Sequence, residues 1–113
     1  MNTIRMKRRD TGPAFTATIL DADGAPVNLT GAAARFKACD AKSRETVIDG
    51  AMTITNAAAG RVSYTWQAAD TADARSLDVE VEVTFGDGEI QTAPNGNLQD
   101  RFLRVEIIED VGL

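Results

Sequence analysis

Acidic side chains are the most numerous groups in this sequence that could take part in catalysis or bind a cation. The chain has 113 residues, with 17 Asp and Glu residues, no histidine and one cysteine. Ser-His-Asp and Cys-His arrangements are therefore excluded, and zinc lacks the ligands that it prefers. The sequence contains no Gly-rich phosphate loop. We predict no catalytic residue, no metal site and no cofactor, and we interpret Cys39 as a small, semi-buried side chain.

Two acidic motifs are the candidates for such a site. The segment 21–24, with two aspartates and a glycine, matches the start of a calcium loop, but no bidentate acid follows it and a hairpin turn explains it. Asp78, Glu80 and Glu82 alternate along a second segment and would share one face of a strand. Such carboxylates could serve a small enzyme of the glycosidase type. We interpret them instead as an acidic, solvent-facing surface that contacts other proteins.

The first nine residues form a basic segment on an otherwise acidic chain, whose net charge is −5. Its basic residues are Arg5, Lys7, Arg8 and Arg9. A basic arm could bind nucleic acid, but an acidic body repels the phosphate backbone. Ile4 and Met6 alternate with the charged residues, which is typical of a strand that lies over a core. In a repeated assembly, this strand of one copy would meet an acidic face of another.

Alternation of apolar and polar residues runs through most of the chain and indicates β-strands. The clearest example is the segment 77–85, whose apolar residues are Leu77, Val79, Val81, Val83 and Phe85. Similar runs begin at Phe15, Ala32, Met52, Val62 and Leu103. In the run from Val62, Tyr64 and Trp66 fall on the apolar side, so we expect them in the core rather than on a sugar-binding surface.

Turn residues separate these runs at 21–26, 49–50, 56–60, 86–88 and 94–97. The segment 67–75 breaks the strand pattern and predicts a short helical turn between two sheets. Seven or eight short antiparallel strands predict an all-β, immunoglobulin-like β-sandwich. We expect one domain over 1–113, with 1–9 as a basic strand or arm and 109–113 as a loose tail or a strand completed by a neighbour. We expect no membrane span, because the apolar stretches are too short.

Several short motifs also follow one another in a recognisable order. They are 9–13 (RDTGP), 21–32 (DADGAPVNLTGA), 35–36 (RF), 54–66 (ITNAAAGRVSYTW), 70–71 (DT), 81–88 (VEVTFGDG) and 92–95 (TAPN). This ordered set resembles the N-terminal domain family of phage baseplate upper proteins (the BppU type) over about residues 7–105. The resemblance implies an immunoglobulin-like sandwich in a virion. In that family, the domain attaches a larger protein to the distal end of the tail.

The resemblance implies a virion structural protein of a tailed phage or prophage, assembled in the cytoplasm of the host bacterium. We expect it to dock, in multiple symmetric copies, onto other phage structural proteins of the tail, baseplate or head–tail region, and to bind no nucleic acid. The predicted contact residues are Arg5, Lys7, Arg8, Arg9, Asp78, Glu80 and Glu82. The alternatives are a capsid decoration protein of the head and a carbohydrate-binding module, which would require an exposed aromatic cluster.

Overall fold

Strands make up most of the regular structure in a computed structural model that describes residues 3–21, 23–93 and 103–109. The strands within these ranges are β1 (Thr3–Lys7), β2 (Phe15–Thr18), β3 (Ala33–Asp40), β4 (Thr46–Ala51), β5 (Thr53–Asn56), β6 (Arg61–Tyr64), β7 (Arg75–Thr84), β8 (Ile90–Ala93) and β9 (Leu103–Ile108). A short 3-10 helix, Ala68–Thr71, lies between β6 and β7. The predicted loop at 94–97 and the tail from 110 onward lie outside the described residues.

Two sheets pack face to face. The larger sheet has the order β1-β9-β7-β3-β4, with β8 paired to β7, and the smaller has the order β2-β6-β5. The order β9-β7-β3-β4 opposite β2-β6-β5 corresponds to strands G, F, C and C′ opposite B, E and D in the variable-type immunoglobulin arrangement. The predicted all-β, immunoglobulin-like sandwich is confirmed. The described residues contain nine strands rather than seven or eight, and β1 pairs with β9 in parallel rather than antiparallel.

Strand β7 lies at the centre of the larger sheet and has the alternation that the sequence predicts. Its residues Leu77, Val79, Val81 and Val83 all point inward and are buried. β8 and β9 lie end to end on the same side of β7, because Ala93 is opposite Val81 and Leu103 is opposite Val79. Alternate side chains of every strand in this sheet therefore share an outer face that points away from the core.

Aromatic side chains fill the space between the sheets. Phe36 from the larger sheet stacks on Tyr64 of the smaller sheet, with ring centroids 4.4 Å apart. Phe15 and Trp66 meet the Phe36 ring edge-on, with ring centroids 5.0 and 5.2 Å from the centroid of Phe36. The predicted inward orientation of Tyr64 and Trp66 is confirmed, since both are buried. Edge-to-face and offset contacts of this kind add about 0.5–1.5 kcal/mol per pair to the burial of apolar area.

The predicted turn at 49–50 is wrong, because these residues lie inside strand β4. Gly50 pairs with Phe36 on β3 and faces the core beside Tyr64. A Cβ atom at position 50 would lie 2.8 Å from Cε1 of Tyr64. The strand therefore needs a residue without a side chain at this point, as glycine provides where another group approaches the backbone closely.

The crossover between the sheets contains the helical turn that the sequence predicts. The Tyr64 hydroxyl donates a hydrogen bond of 2.6 Å to Oδ2 of Asp70, and the same oxygen accepts the Gln67 N–H at 2.9 Å. Burial, followed by the hydrogen bond and charge of Asp70, raises the pKa of Tyr64 well above its usual value. Asp70 thus fixes the end of β6 and the start of the 3-10 helix together.

Candidate docking surface

The outer face of the larger sheet is covered by charged residues that pair across neighbouring strands. Lys37 Nζ lies 3.1 Å from Glu82 Oε2 and joins β3 to β7. Arg35 Nε on β3 lies 2.8 Å from Asp49 Oδ1 on β4, and Arg5 Nε on β1 lies 3.1 Å from an oxygen of Glu106 on β9. These side chains are partly exposed, so each pair contributes at most about 1 kcal/mol.

Asp78 is the exception on this face, because it is only 4% exposed. Arg104 Nε donates to its Oδ1 at 2.8 Å, and Arg44 donates to its Oδ2 from the connection between β3 and β4. The prediction that Asp78 is solvent-facing is therefore wrong. A carboxylate at the centre of a sheet is buried at acceptable cost only when cations cover it, and the two arginines do so here.

Glu80 and Glu82 are half-buried and share the outer face with Asp78, as their spacing predicts. Lysine and arginine side chains from the neighbouring strands nevertheless neutralise much of the charge of this face. Strand β9 also separates β7 from the basic strand β1. The structure therefore does not bring the predicted basic and acidic contact residues together within one copy.

The basic N-terminal segment divides into two parts. Arg5 and Lys7 are exposed on β1, which confirms the strand interpretation for residues 3–7. Arg8 is half-buried and has a guanidinium nitrogen 3.8 Å from a Glu109 carboxylate oxygen. Arg9 has a left-handed backbone (φ 67°) and begins the connection to β2. Only Arg5 and Lys7 are therefore placed along the edge of the sheet.

Thr71 is fully buried, which the sequence patterns did not indicate. Its hydroxyl donates to the Asp10 carbonyl oxygen at 3.0 Å, and its own carbonyl oxygen accepts the Arg9 N–H at 2.9 Å. These bonds attach the segment after β1 to the crossover between the sheets. They hold β1 in place as the edge of the larger sheet.

Strands β1 and β4 form the two edges of the larger sheet, and their charges are opposite. Thr3–Lys7 contains two basic residues and no acid, whereas Thr46–Ala51 contains one acid, Asp49, and no base, and Glu45 directly precedes it. Each edge also exposes an apolar side chain, with Ile4 41% and Val47 38% accessible. The hydrogen bond from Arg35 lowers the pKa of the Asp49 carboxyl, so Asp49 is ionised in neutral solution and its charge is paired with that of Arg35.

The calcium-loop motif has a different role in the structure. Asp21 Oδ1 accepts the backbone N–H groups of Asp23 at 2.9 Å and Ala25 at 3.0 Å. This aspartate therefore stabilises a tight turn, as such side chains commonly do. Over residues 3–21, 23–93 and 103–109, no group of three or more His, Cys, Asp or Glu residues is arranged to hold a metal ion.

A shallow groove beside β7 is lined by Arg75, Asp40, Lys42, Glu106 and Glu109 among others. Arg75 lies 3.7 Å from an Asp40 oxygen, and backbone N–H groups of the adjoining turn lower the pKa of that carboxyl. The paired charges stabilise the turn between β3 and β4.

Exposed aromatic side chains would be needed for sugar binding. Phe15, Phe36, Tyr64 and Trp66 are buried, and Phe85 is partly buried against the core. The part of the chain that the structure describes therefore presents no aromatic cluster to solvent. No helix in that part is long and apolar enough to cross a membrane.

A comparison with known proteins places no constraint on these assignments. The chain matches no family model, and a search of curated proteins finds no similar one. The candidate functional site is the pair of edges that combines open backbone groups, exposed apolar side chains and complementary charge. It consists of the β1 edge with Arg5 and Lys7, and the β4 edge with Glu45, Val47 and Asp49.

Proposed function

We propose that this chain is a structural subunit that binds other proteins and is present in many copies in the virion of a tailed phage or prophage. The observation that carries the protein-binding role is the pair of open, oppositely charged sheet edges. Unprotected edges pair readily with further strands, so soluble proteins usually shield them. The proposal is non-catalytic, in agreement with the absence of histidine from the sequence.

The virion part of the proposal rests on the ordered motifs of the sequence, and the structure gives those motifs a shared role. Leu29 in one motif donates its N–H to the Ala57 carbonyl oxygen in another at 2.8 Å. Gly86 in a third approaches the Gly31 carbonyl oxygen, to which an added Cβ would lie at 3.6 Å. Three of the motifs thus contact one another in the fold, which supports a structural basis for their fixed order.

Analysis of purified particles tests the virion role directly. Particles from an induced lysogen that carries this gene should contain the protein in repeated, symmetric copies, visible by mass spectrometry and cryo-electron microscopy. The images would also distinguish a position in the tail, baseplate or head–tail region from decoration of the capsid. Purified, infectious particles without the protein would refute this proposal.

A charge-neutral variant tests the contribution of the basic edge. Arg5→Gln combined with Lys7→Gln should lower incorporation into particles, because the charges that attract an acidic partner are lost. Lys42→Gln combined with Arg61→Gln is the matched control, since it removes the same charge from exposed positions away from β1. The difference between the variants should shrink at high salt, where screening weakens the wild-type attraction. Equal incorporation of both variants at low salt would contradict a role for the β1 edge.

A further inference from the structure

We propose that the β4 edge of one copy pairs with the β1 edge of a second copy, so that copies join head to tail in one continuous sheet. This inference deepens the proposed function, because it names a second copy of the chain as the partner of these edges. An interface between two different surfaces of the same protein generates a ring if the rotation closes and a filament if it does not.

The strand directions allow this junction. β4 is antiparallel to β3, β3 to β7 and β7 to β9, while β9 is parallel to β1. β4 and β1 of the same copy therefore run in opposite directions at the two ends of the sheet. A second copy in the same orientation beside β4 presents its β1 as an antiparallel neighbour, and antiparallel pairing is slightly more stable per residue than parallel pairing.

The backbone groups of β4 indicate which residues would take part. The Ala34 carbonyl oxygen accepts the Met52 N–H at 2.9 Å, so Met52 and Gly50, two residues before it, face β3. Because peptide groups alternate along a strand, those of Asp49 and Ala51 point to the open side, where the Asp49 carbonyl oxygen accepts a hydrogen bond of 3.0 Å from the Arg35 guanidinium. The side chains of Asp49 and Ala51 lie on the outer face of the sheet, whereas Gly50 faces the core.

The backbone groups of β1 complete the register. The Arg8 N–H donates to Ile108 on the β9 side at 2.9 Å, whereas the Lys7 carbonyl oxygen accepts the Asp10 N–H on the open side at 3.2 Å. Arg5 therefore also points its peptide group to the open side. Placing Arg5 opposite Asp49 aligns two outward-pointing peptide groups and two opposite charges on the same face. The incoming Arg5 N–H would share the Asp49 carbonyl oxygen with Arg35.

Charge selects this junction over the symmetric alternatives. Two β4 edges related by a two-fold axis would oppose acidic residues, and two β1 edges would oppose basic ones. Like charges directly opposite each other destabilise strand pairs, whereas opposite charges stabilise them. Arg5 and Asp49 are each ion-paired within their own copy, with Glu106 and Arg35, but their side chains stay accessible, with Arg5 70% and Asp49 46% exposed. A neighbouring copy can therefore share these contacts.

Charge reversal on purified protein tests the proposal by sedimentation and multi-angle light scattering. Wild type should associate with rising concentration, more strongly at low salt. Arg5→Glu with Lys7→Glu, and separately Glu45→Lys with Asp49→Lys, should each weaken association by about tenfold or more. An equal mixture of the two variants should associate again, because each acidic β1 then meets a basic β4 and each acidic β4 meets a basic β1.

Arg61→Glu, compared with Arg5→Glu alone, serves as the control and should associate like wild type, since Arg61 is exposed on β6 of the smaller sheet and belongs to neither β1 nor β4. Circular dichroism checks that each variant is folded. If the β4 variant does not fold after losing its contact with Arg35, Glu45→Gln with Asp49→Asn replaces it and should weaken association without any recovery on mixing.

A wild type that stays monomeric at millimolar concentration and low salt overturns the proposal. So do folded charge-reversal variants that associate like wild type, or that stay monomeric when mixed. These outcomes leave the virion role to the particle experiment.

Discussion

Replacement of Gly60 by alanine should be among the most damaging single changes on the surface loops of this fold. Gly60 is buried with φ of 69°, and an added Cβ would lie 2.7 Å from the Ile19 carbonyl oxygen and 2.9 Å from that of Val27. Both are backbone atoms and belong to the same network, because the Val27 N–H donates to Ile19 and the Ile19 N–H donates to Gly60. The added methyl group can fit only if these three segments move apart.

Two costs contribute to the expected loss of stability. A left-handed backbone costs an L-residue about 1–2 kcal/mol, and overpacking at a close contact costs about 1–3 kcal/mol more. We expect Gly60→Ala to lower the free energy of unfolding by about 2–5 kcal/mol. For a domain of this size, that corresponds to a fall in Tm of about 10–20 °C.

Gly24→Ala is the matched control for this experiment. Gly24 also has a left-handed backbone, with φ of 82°, but no heavy atom lies within 4 Å of its would-be Cβ. It should therefore lose only the conformational part, about 1–2 kcal/mol. Urea denaturation of both variants measures the difference, with the slope m checked for constancy. Equal losses in the two variants would refute the inference that the Gly60 contact is rigid.

Two further predictions concern buried polar groups. Asp78→Asn should lower the free energy of unfolding, measured by urea denaturation, by about 2 kcal/mol, because it removes the charge between Arg44 and Arg104. Both arginines are partly exposed and recover hydration, so the loss stays below the ~3–5 kcal/mol that breaking a fully buried pair costs. An unchanged midpoint would show that the two pairs contribute nothing. Tyr64→Phe should cost about 1 kcal/mol at neutral pH through loss of the bond to Asp70. Because the folded-state pKa of Tyr64 is raised, its contribution is complete below about pH 10 and declines as the pH rises further, so the variant should lose stability less steeply there. Parallel alkaline curves would contradict that assignment.

Local alternation predicted the fold well, because it records which side of a strand faces the core. In β7, the inward positions of Leu77 and Val83 follow directly from a period of two. The same rule placed Asp78 in solvent, where it fails. Its covering arginines come from a loop and from another strand, and no local pattern indicates that they converge there.

Gly50 shows a second limit of reasoning from sequence. A glycine after an aspartate is typical of a turn, and the ring of Tyr64 that explains it lies on the opposite sheet. The edges are similar, since the basic character of β1 was predictable from Arg5 and Lys7. The strand order that places β4 at the other end of the same sheet depends on non-local pairing, which alternation does not encode.

The parallel pairing of β1 with β9 has a mechanical consequence. Five residue pairs, from Thr3 opposite Arg104 to Lys7 opposite Ile108, join the two strands side by side. A force that pulls Thr3 and Ile108 apart along the strands acts in shear, and it loads all of these pairs at once instead of opening them one after another. Resistance to such a pull is governed by the rate of unfolding rather than by equilibrium stability. Tension applied between Thr3 and Ile108 is therefore borne by the whole β1–β9 pairing.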